Sequence, residues 1–186
     1  MIVGLAGSFA AGKGTVVEYL ITNYNFIHYS ASGFISEEIV KRKMPVNRDS
    51  MIIVANDLRA TYGPSYIIEE LYKKAQERGG NVIIESLRAV AEVRKIQELG
   101  GVVIGIDADP EIRYNRAIGR GSVKDNVSYK AWKAQELAES NPSDETKQNI
   151  FGALEMADYI IKNNTDKKDL AREVEKCVQS LSEKQH

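Results

Sequence analysis

Apolar residues gather along this chain in two rhythms. Short runs rich in β-branched residues stand at Ile2 to Ala6, Phe26 to Tyr29, Asn81 to Ile84, Val102 to Ile106 and Tyr159 to Ile161. They are apolar throughout and do not alternate with polar positions, which predicts strands covered on both faces. Between them the pattern predicts helices over Gly14 to Thr22, Ser36 to Lys43, Arg48 to Ala60, Tyr66 to Arg78, Ala89 to Leu99, Pro110 to Ile118, Ser128 to Ala138, Asp144 to Met156 and Lys168 to Leu181. Strands separated by helices in this way fold as a parallel α/β sheet; a sandwich would read differently. Gly79-Gly80 and Gly100-Gly101 stop two helices directly before two strands, because glycine takes the left-handed conformation that closes a helix. Two composition breaks, Gly119 to Asn126 (GRGSVKDN) and Ser140 to Ser143 (SNPS), bracket a polar helical segment, and Ser182 to His186 reads as a solvated tail.

Composition narrows the class. With 186 residues, 43% of them hydrophobic and 27% charged, the chain reads as one soluble globular domain over 1–186. Its 25 Lys and Arg are balanced by 26 Asp and Glu, net −1, so no global positive field collects DNA or RNA, and nucleic acid is not expected as the partner. Cys177 is the single cysteine and has no partner for an internal disulfide; with two histidines it cannot complete a closed zinc site. A reducing cytoplasm is the expected setting. The apolar start at Met1 to Ala6 meets a glycine turn too soon to be a signal peptide. No window holds the ~18 to 20 uninterrupted apolar residues of a membrane span, so no membrane is expected.

The most specific chemical signal is Gly7-Ser8-Phe9-Ala10-Ala11-Gly12-Lys13-Gly14-Thr15. It satisfies G-x-x-x-x-G-K between a predicted strand and a predicted helix. Gly7 and Gly12 let the backbone wrap closely around phosphate oxygens, and the N–H groups through Ala10, Ala11 and Gly12 turn toward the anion. The helix start adds a positive dipole end and Lys13 a cation for the outer phosphates. The residue after the lysine is Gly14, so Thr15 is the hydroxyl available to Mg²⁺.

The Gly-Lys-Gly-Thr segment resembles the P-loop of nucleoside monophosphate kinases, adenylate and cytidylate kinases among them, with dephospho-coenzyme A kinases as relatives. Three further stretches share the resemblance: Asn81-Val-Ile-Ile-Glu-Ser-Leu-Arg88, the arginine-bearing segment with Arg113, Arg116, Arg120 and Lys124, and Glu155 to Asn163. It implies a three-layer α/β P-loop kinase fold, a five-stranded parallel sheet in the order 2-3-1-4-5 with a helical acceptor-binding insertion and a lid. ATP, Mg²⁺ and a small phosphorylated acceptor are then the expected ligands, and the chain a monomer or homodimer.

Within that frame each further candidate has a chemical reason. Glu85 ends an apolar run beside the first strand, where a carboxylate holds Mg²⁺ or orients the substrate oxygen, although the resembling kinases carry Asp-Gly where this chain has Glu85-Ser86. Arg88 can grip the acceptor phosphate bidentately. About fifty residues separate the second and third predicted strands, more than a simple crossover needs, so an acceptor-binding insertion is expected at about 32–65. Ser32, Arg42, Arg48 and Arg59 lie in it, with Ser32, Arg42 and Arg59 as acceptor contacts. Arg113, Arg116 and Arg120 recur at helical spacing with only Glu111 and Asp125 nearby. Such a stripe calls for an anion, so a lid at about 113–140 is expected to carry Arg116 and Arg120 to the transferring phosphate, with Gly119 and Gly121 as hinges. Asn163 stands where the resembling kinases meet adenine. Tyr129 and Trp132 either stack on a nucleotide or pack the lid, and Cys177 reads as core.

The expected activity is ATP-dependent phosphoryl transfer to a nucleoside or deoxynucleoside monophosphate. Dephospho-coenzyme A is the rival acceptor, favoured by Ala157-Asp158-Tyr159, and a P-loop regulatory ATPase is the rival from another class.

Overall fold

The computed structural model describes residues 1–119, 127–138 and 143–183. Its strands are β1 (Ile2–Gly7), β2 (Ile27–Ser30), β3 (Val82–Leu87), β4 (Val102–Asp107) and β5 (Tyr159–Lys162). All the pairings are parallel, in the order β2-β3-β1-β4-β5, as the resemblance implied. The helices are α1 (Lys13–Tyr24), α2 (Ala31–Lys41), α3 (Arg48–Tyr62), α4 (Tyr66–Arg78), α5 (Val90–Glu98), α6 (Pro110–Gly119), α7 (Tyr129–Ala138), α8 (Ile150–Glu155) and α9 (Lys167–Glu183).

The two-residue repeat of a strand divides the apolar side chains between two cores. Val3 and Leu5 of β1, Ile83 of β3 and Ile104 and Ile106 of β4 face α1 and α9, where Val16, Leu20, Leu170, Val174 and Cys177 complete the layer. Ala6, Val82, Ile84 and Val103 point the other way, against Ile39, Leu58, Ile67, Leu71 and Ile96. Both faces are therefore buried, which is why the strands lack polar alternation. Burial pushes the Cys177 thiol up to about 11, so it behaves as a small apolar side chain.

Several boundaries differ from the sequence reading, and α2 begins at Ala31 instead of Ser36 because Ser30 caps it through the Gly33 N–H. Strand β3 continues through Glu85 to Leu87 instead of stopping before it. Only Ile150–Glu155 of the stretch from Asp144 to Met156 is α-helical. The Asp144 carboxylate accepts from the Thr146 backbone and hydroxyl and folds a turn of its own, and Asn149 then caps α8 through the N–H of Gly152. At the far end, α9 runs on to Glu183 where a tail was expected from Ser182. Among the described residues no helix is long and apolar enough to cross a membrane.

Candidate functional site

The carboxyl edge of a parallel sheet is where loops meet and ligands bind in this fold class. At its centre lies the turn from β1 into α1. Gly7 has φ +142, and a Cβ there would sit 2.1 Å from the Ile106 carbonyl oxygen. Gly12 has φ +107, and its Cβ would lie 2.3 Å from Asn163 Nδ2. Ala10 also takes a left-handed φ of 59°. At Gly14, by contrast, an added Cβ would meet nothing within 4 Å, so packing does not demand that glycine. Gly12 caps α1 with no side-chain bond, and the first turn of α1 carries no acidic residue. The N–H groups that open a helix therefore keep their anion-binding capacity here. Lys13 Nζ donates to the carbonyls of Gly7 (2.8 Å) and Ser8 (2.9 Å), which holds the cation over the loop. Residues Gly7 to Thr15 thus fit a nucleotide's phosphates.

Glu85 stands one strand away, in register with Leu5 of β1 and with Ser30 of β2. The next pair is Ala6 with Leu87, so Ser86 is bulged out of the ladder, with φ 70, in the stretch that resembles Asp-Gly. Ser30 Oγ donates to Glu85 Oε1 at 2.8 Å, and His28 Nε2 lies 3.8 Å from the same oxygen. Burial alone would raise this carboxyl's pKa, but hydrogen bonds from His28, Ser30 and Ser86 outweigh it and bring it down to about 2. Glu85 is thus a carboxylate at neutral pH, a hard oxygen donor of the kind Mg²⁺ prefers. Among the described residues no three His, Cys, Asp or Glu side chains gather to hold a metal.

Beside these two features opens a cavity of about 290 Å³ lined by Phe9 of the P-loop, Ser32, Arg48, Arg59, Ser86 and Arg88, with Ile35, Met51, Ile52 and Gln148. Ser32 is hydrogen-bonded to Ser30 at 2.9 Å; since Ser30 gives its proton to Glu85, Ser32 is the donor. Arg48 lies over the Phe9 ring, 5.9 Å from its centroid. Arg59 is only 2% exposed. Its Nε and Nη2 both donate to Glu92 Oε1, at 3.0 and 2.7 Å, while Nη1 is buried with no hydrogen-bond partner among the described residues. Glu92 uses its other oxygen to accept the N–H groups of Arg88 (2.8 Å) and Ala89 (3.1 Å) at the start of α5. One buried carboxylate thereby fixes both Arg59 and the backbone that carries Arg88.

A family model described as AAA domain matches residues 3–133. The chain belongs to the AAA domain family. The chain is also similar to UPF0200 proteins of Pyrobaculum aerophilum (27% identity over 97% of this chain and 98% of that one) and Methanococcus maripaludis (25%, 97% of each). Among solved structures, the TT1252 protein of Thermus thermophilus matches with a TM-score of 0.63 at 17% identity, covering 97% of each chain. Shikimate kinase from Bacteroides thetaiotaomicron matches at 0.60 and 14%, over 98% of each. Dephospho-CoA kinase from Campylobacter jejuni matches at 0.51 and 19%, over 96% of each. This AAA domain therefore has the P-loop kinase fold.

The structure brings Lys13, Thr15, Glu85, Ser32, Arg59 and Arg88 to one edge of the AAA domain and sends other candidates elsewhere. Arg42 is exposed and pairs with Glu38 (3.2 Å) and Asp57 (2.6 Å); it is no part of the cavity wall. The arginine stripe of α6 does not await an anion at Arg113, which is 3% exposed and paired with Glu136 of α7 through both nitrogens. Its Nε donates to the Ala108 carbonyl at 2.8 Å, and its guanidinium lies 5.1 Å from the Trp132 centroid. Trp132 is buried and Tyr129 packs on it and on Tyr114, so these rings are packing. Arg116 donates to the carbonyls of Asn163 (2.8 Å) and Thr165 (3.0 Å) in the loop after β5. Asn163 is buried and its side chain braces the P-loop, donating to the Ala11 carbonyl at 2.8 Å. Arg120, Lys124 and the remainder of 120–126 and 139–142 lie outside the described residues. Ser30, His28 and Glu92 were missed in the sequence. Ser30 carried a readable signal, a serine after a strand and three residues before Gly33, whose N–H it caps.

Proposed function

We propose that the protein is an ATP-dependent phosphotransferase that moves a γ-phosphoryl group to a small phosphate-bearing acceptor, a nucleoside or deoxynucleoside monophosphate. The observation that carries this reading is the cavity with three arginines in its wall, Arg48, Arg59 and Arg88, opening between P-loop residue Phe9 and Ser86 beside Glu85. Regulatory ATP hydrolysis gives no reason for such a wall; a second phosphorylated substrate does.

In this reading the insertion at 32–65 is the acceptor-binding region and the segment 113–140 the lid. Gly7, Ala10, Ala11, Gly12, Lys13, Gly14 and Thr15 take the donor phosphates, with Lys13 exchanging its two carbonyl partners for phosphate oxygens. Mg²⁺, held by Thr15 and Glu85, supplies the charge that neutralises the donor phosphates. Arg116 and Asn163 serve the nucleotide side, and Arg120 reaches the transferring group from the lid. Arg59 and Arg88 grip the acceptor's own phosphate, and Ser32 orients its reacting end. Little covalent chemistry is asked of the protein, so catalysis is positioning and charge stabilisation. The work suits a reducing cytoplasm, a chain acting alone or as a homodimer, and no nucleic acid.

Dephospho-coenzyme A stays the rival acceptor, and Asp158 of the stretch that favours it has a structural task. It accepts the N–H of Val103 at 2.8 Å and the Gln97 amide at 3.1 Å, which aligns β5 on β4. The test is coupled ADP release across nucleoside and deoxynucleoside monophosphates and dephospho-coenzyme A. A nucleoside monophosphate is expected to raise ADP release well above basal hydrolysis. Release that no acceptor changes would favour the regulatory ATPase, and a response to dephospho-coenzyme A alone would move the acceptor to that class.

A further inference from the structure

Arg113 of α6 uses four of its five N–H bonds, and they run in three directions. Nε donates to the Ala108 carbonyl just past the end of β4. Nη1 and Nη2 hold the two carboxylate oxygens of Glu136 on α7. The second N–H of Nη1 reaches the Phe9 carbonyl of the P-loop at 3.4 Å. A trans peptide points its carbonyl and the following N–H in opposite directions, so a guanidinium that holds the Phe9 oxygen on the α6 side turns the Ala10 N–H away from α6. Ala10 needs such help, because its φ of 59° is one that a residue with a side chain keeps only where its surroundings impose it. Asn163 acts in the same way two peptides on, its Nδ2 holding the Ala11 carbonyl at 2.8 Å. The peptide between them is tied as well, since the Ala11 N–H donates to the Ser8 carbonyl at 3.3 Å.

We propose that Arg113 is a positioning residue for the donor phosphates: by holding the Phe9 carbonyl it aims the Ala10 N–H at them, and Glu136 of α7 positions Arg113 in turn. This rests on the reading of Gly7 to Thr15 as the loop that takes the donor phosphates. In that reading Lys13 gives up the Gly7 and Ser8 carbonyls for phosphate oxygens, whereas the ties from Arg113 and Asn163 stay with the nucleotide in place. Arg113 is only 3% exposed. Apolar residues in place of a buried ion pair are often neutral for stability or better, so stability alone does not call for the pair. A planar fork that reaches the end of β4, α7 and the P-loop at once does. Helix α7 bears on Phe9 a second time, because Gln135, next to Glu136, accepts from Arg48 at 2.8 Å. The Arg48 guanidinium lies 5.9 Å from the Phe9 ring centroid. Phe9 is thus held at its backbone and at its ring by two arginines, each fixed by a side chain of α7, and the seating of α7 is linked to the shape of the phosphate loop.

Isothermal calorimetry of the intact chain with MgADP, run beside urea denaturation, tests this. Arg113→Lys keeps a charge against Glu136 but has no planar fork to span three partners. It should weaken MgADP binding about tenfold or more, the loss expected from one charge-assisted hydrogen bond. Arg113→Met with Glu136→Met strands no buried charge and should weaken binding to a similar extent in a folded chain. Leu71→Ala, a core truncation on α4, should leave the affinity within about twofold of wild type despite its loss of stability. With MgADP bound, the Ala10 amide proton should exchange with solvent about tenfold faster in Arg113→Lys than in wild type, and the amides of α4 at an unchanged rate. Affinity within about twofold of wild type in every folded Arg113 variant, a loss in Leu71→Ala as large as theirs, or unchanged exchange at Ala10 overturns the proposal. Weakened MgADP binding in a chain whose wild type passes phosphate to no acceptor would leave the positioning role standing and remove the phosphotransferase reading. Transfer to an acceptor, with the Arg113 variants binding MgADP normally, would do the reverse.

Discussion

Glu92 offers the sharpest test of how the site is built, because it is fully buried and has two jobs. One oxygen holds the Arg59 guanidinium by two hydrogen bonds of 3.0 and 2.7 Å, and the other closes the first turn of α5 by accepting the N–H groups of Arg88 and Ala89. Glu92→Ala leaves a cation that is 2% exposed without its counter-charge, which costs about 3 to 5 kcal/mol. Loss of the helix-start bonds adds about 1 kcal/mol. The sum is a large part of the roughly 5 to 15 kcal/mol that holds a domain together. Removing the cation as well, in Arg59→Met with Glu92→Met, eliminates the uncompensated charge and should recover at least about 2 kcal/mol over Glu92→Ala. Urea denaturation reads all of this. With a slope of about 2 kcal/mol/M, Glu92→Ala shifts the midpoint down by about 2 to 3 M and the double variant regains about 1 M. If Glu92→Ala stays within about 1 kcal/mol of wild type, or the double variant is no more stable than Glu92→Ala, the buried pair does not organise this wall of the cavity.

Other expectations follow from the same geometry. Lys13→Ala should lower turnover by orders of magnitude while moving the thermal midpoint little, since in the folded chain the lysine donates to the carbonyls of the loop it belongs to; turnover within about threefold of wild type would contradict its role. Gly12→Ala puts a Cβ 2.3 Å from Asn163 Nδ2 at φ +107, so it should cost about 2 kcal/mol or more by thermal melting and weaken ATP binding. Glu85 has a folded pKa of about 2, below its ordinary 4.5. Its contribution is therefore complete above pH 4.5 and disappears as pH falls toward 2, up to about 3 kcal/mol. The stability gap between wild type and Glu85→Gln, measured by urea at pH 7 and again near pH 2.5, should shrink accordingly.

The sheet was legible in the sequence because burial on both faces leaves an unmistakable apolar run, and the P-loop because Gly7 and Gly12 answer steric demands that a side chain cannot meet. Arg59 and Arg88 were legible as cations near a turn and a strand end. Their fixing by Glu92 was not, since a buried carboxylate three residues into a helix looks like any other first-turn acid. Arg113 misled for a related reason: its anion, Glu136, is 23 residues away on another helix, beyond the reach of i to i+4 reasoning. Arg42 and Arg48 flank the same loop, and only the packing of α2 against α3 decides that one meets Glu38 and Asp57 while the other enters the cavity. Asn163 was expected on adenine and instead braces Ala11, a contact made when β5 returns beside β1's loop.

In the proposed function this AAA domain transfers a phosphoryl group to a second substrate instead of to water. Incubating the wild-type chain with γ-labelled ATP, Mg²⁺ and a nucleoside monophosphate, then separating the products, tests it most directly. Label is expected in the nucleoside diphosphate, in step with ADP formed, and none there with Lys13→Ala. Label found only as inorganic phosphate, with every nucleoside monophosphate, would contradict it.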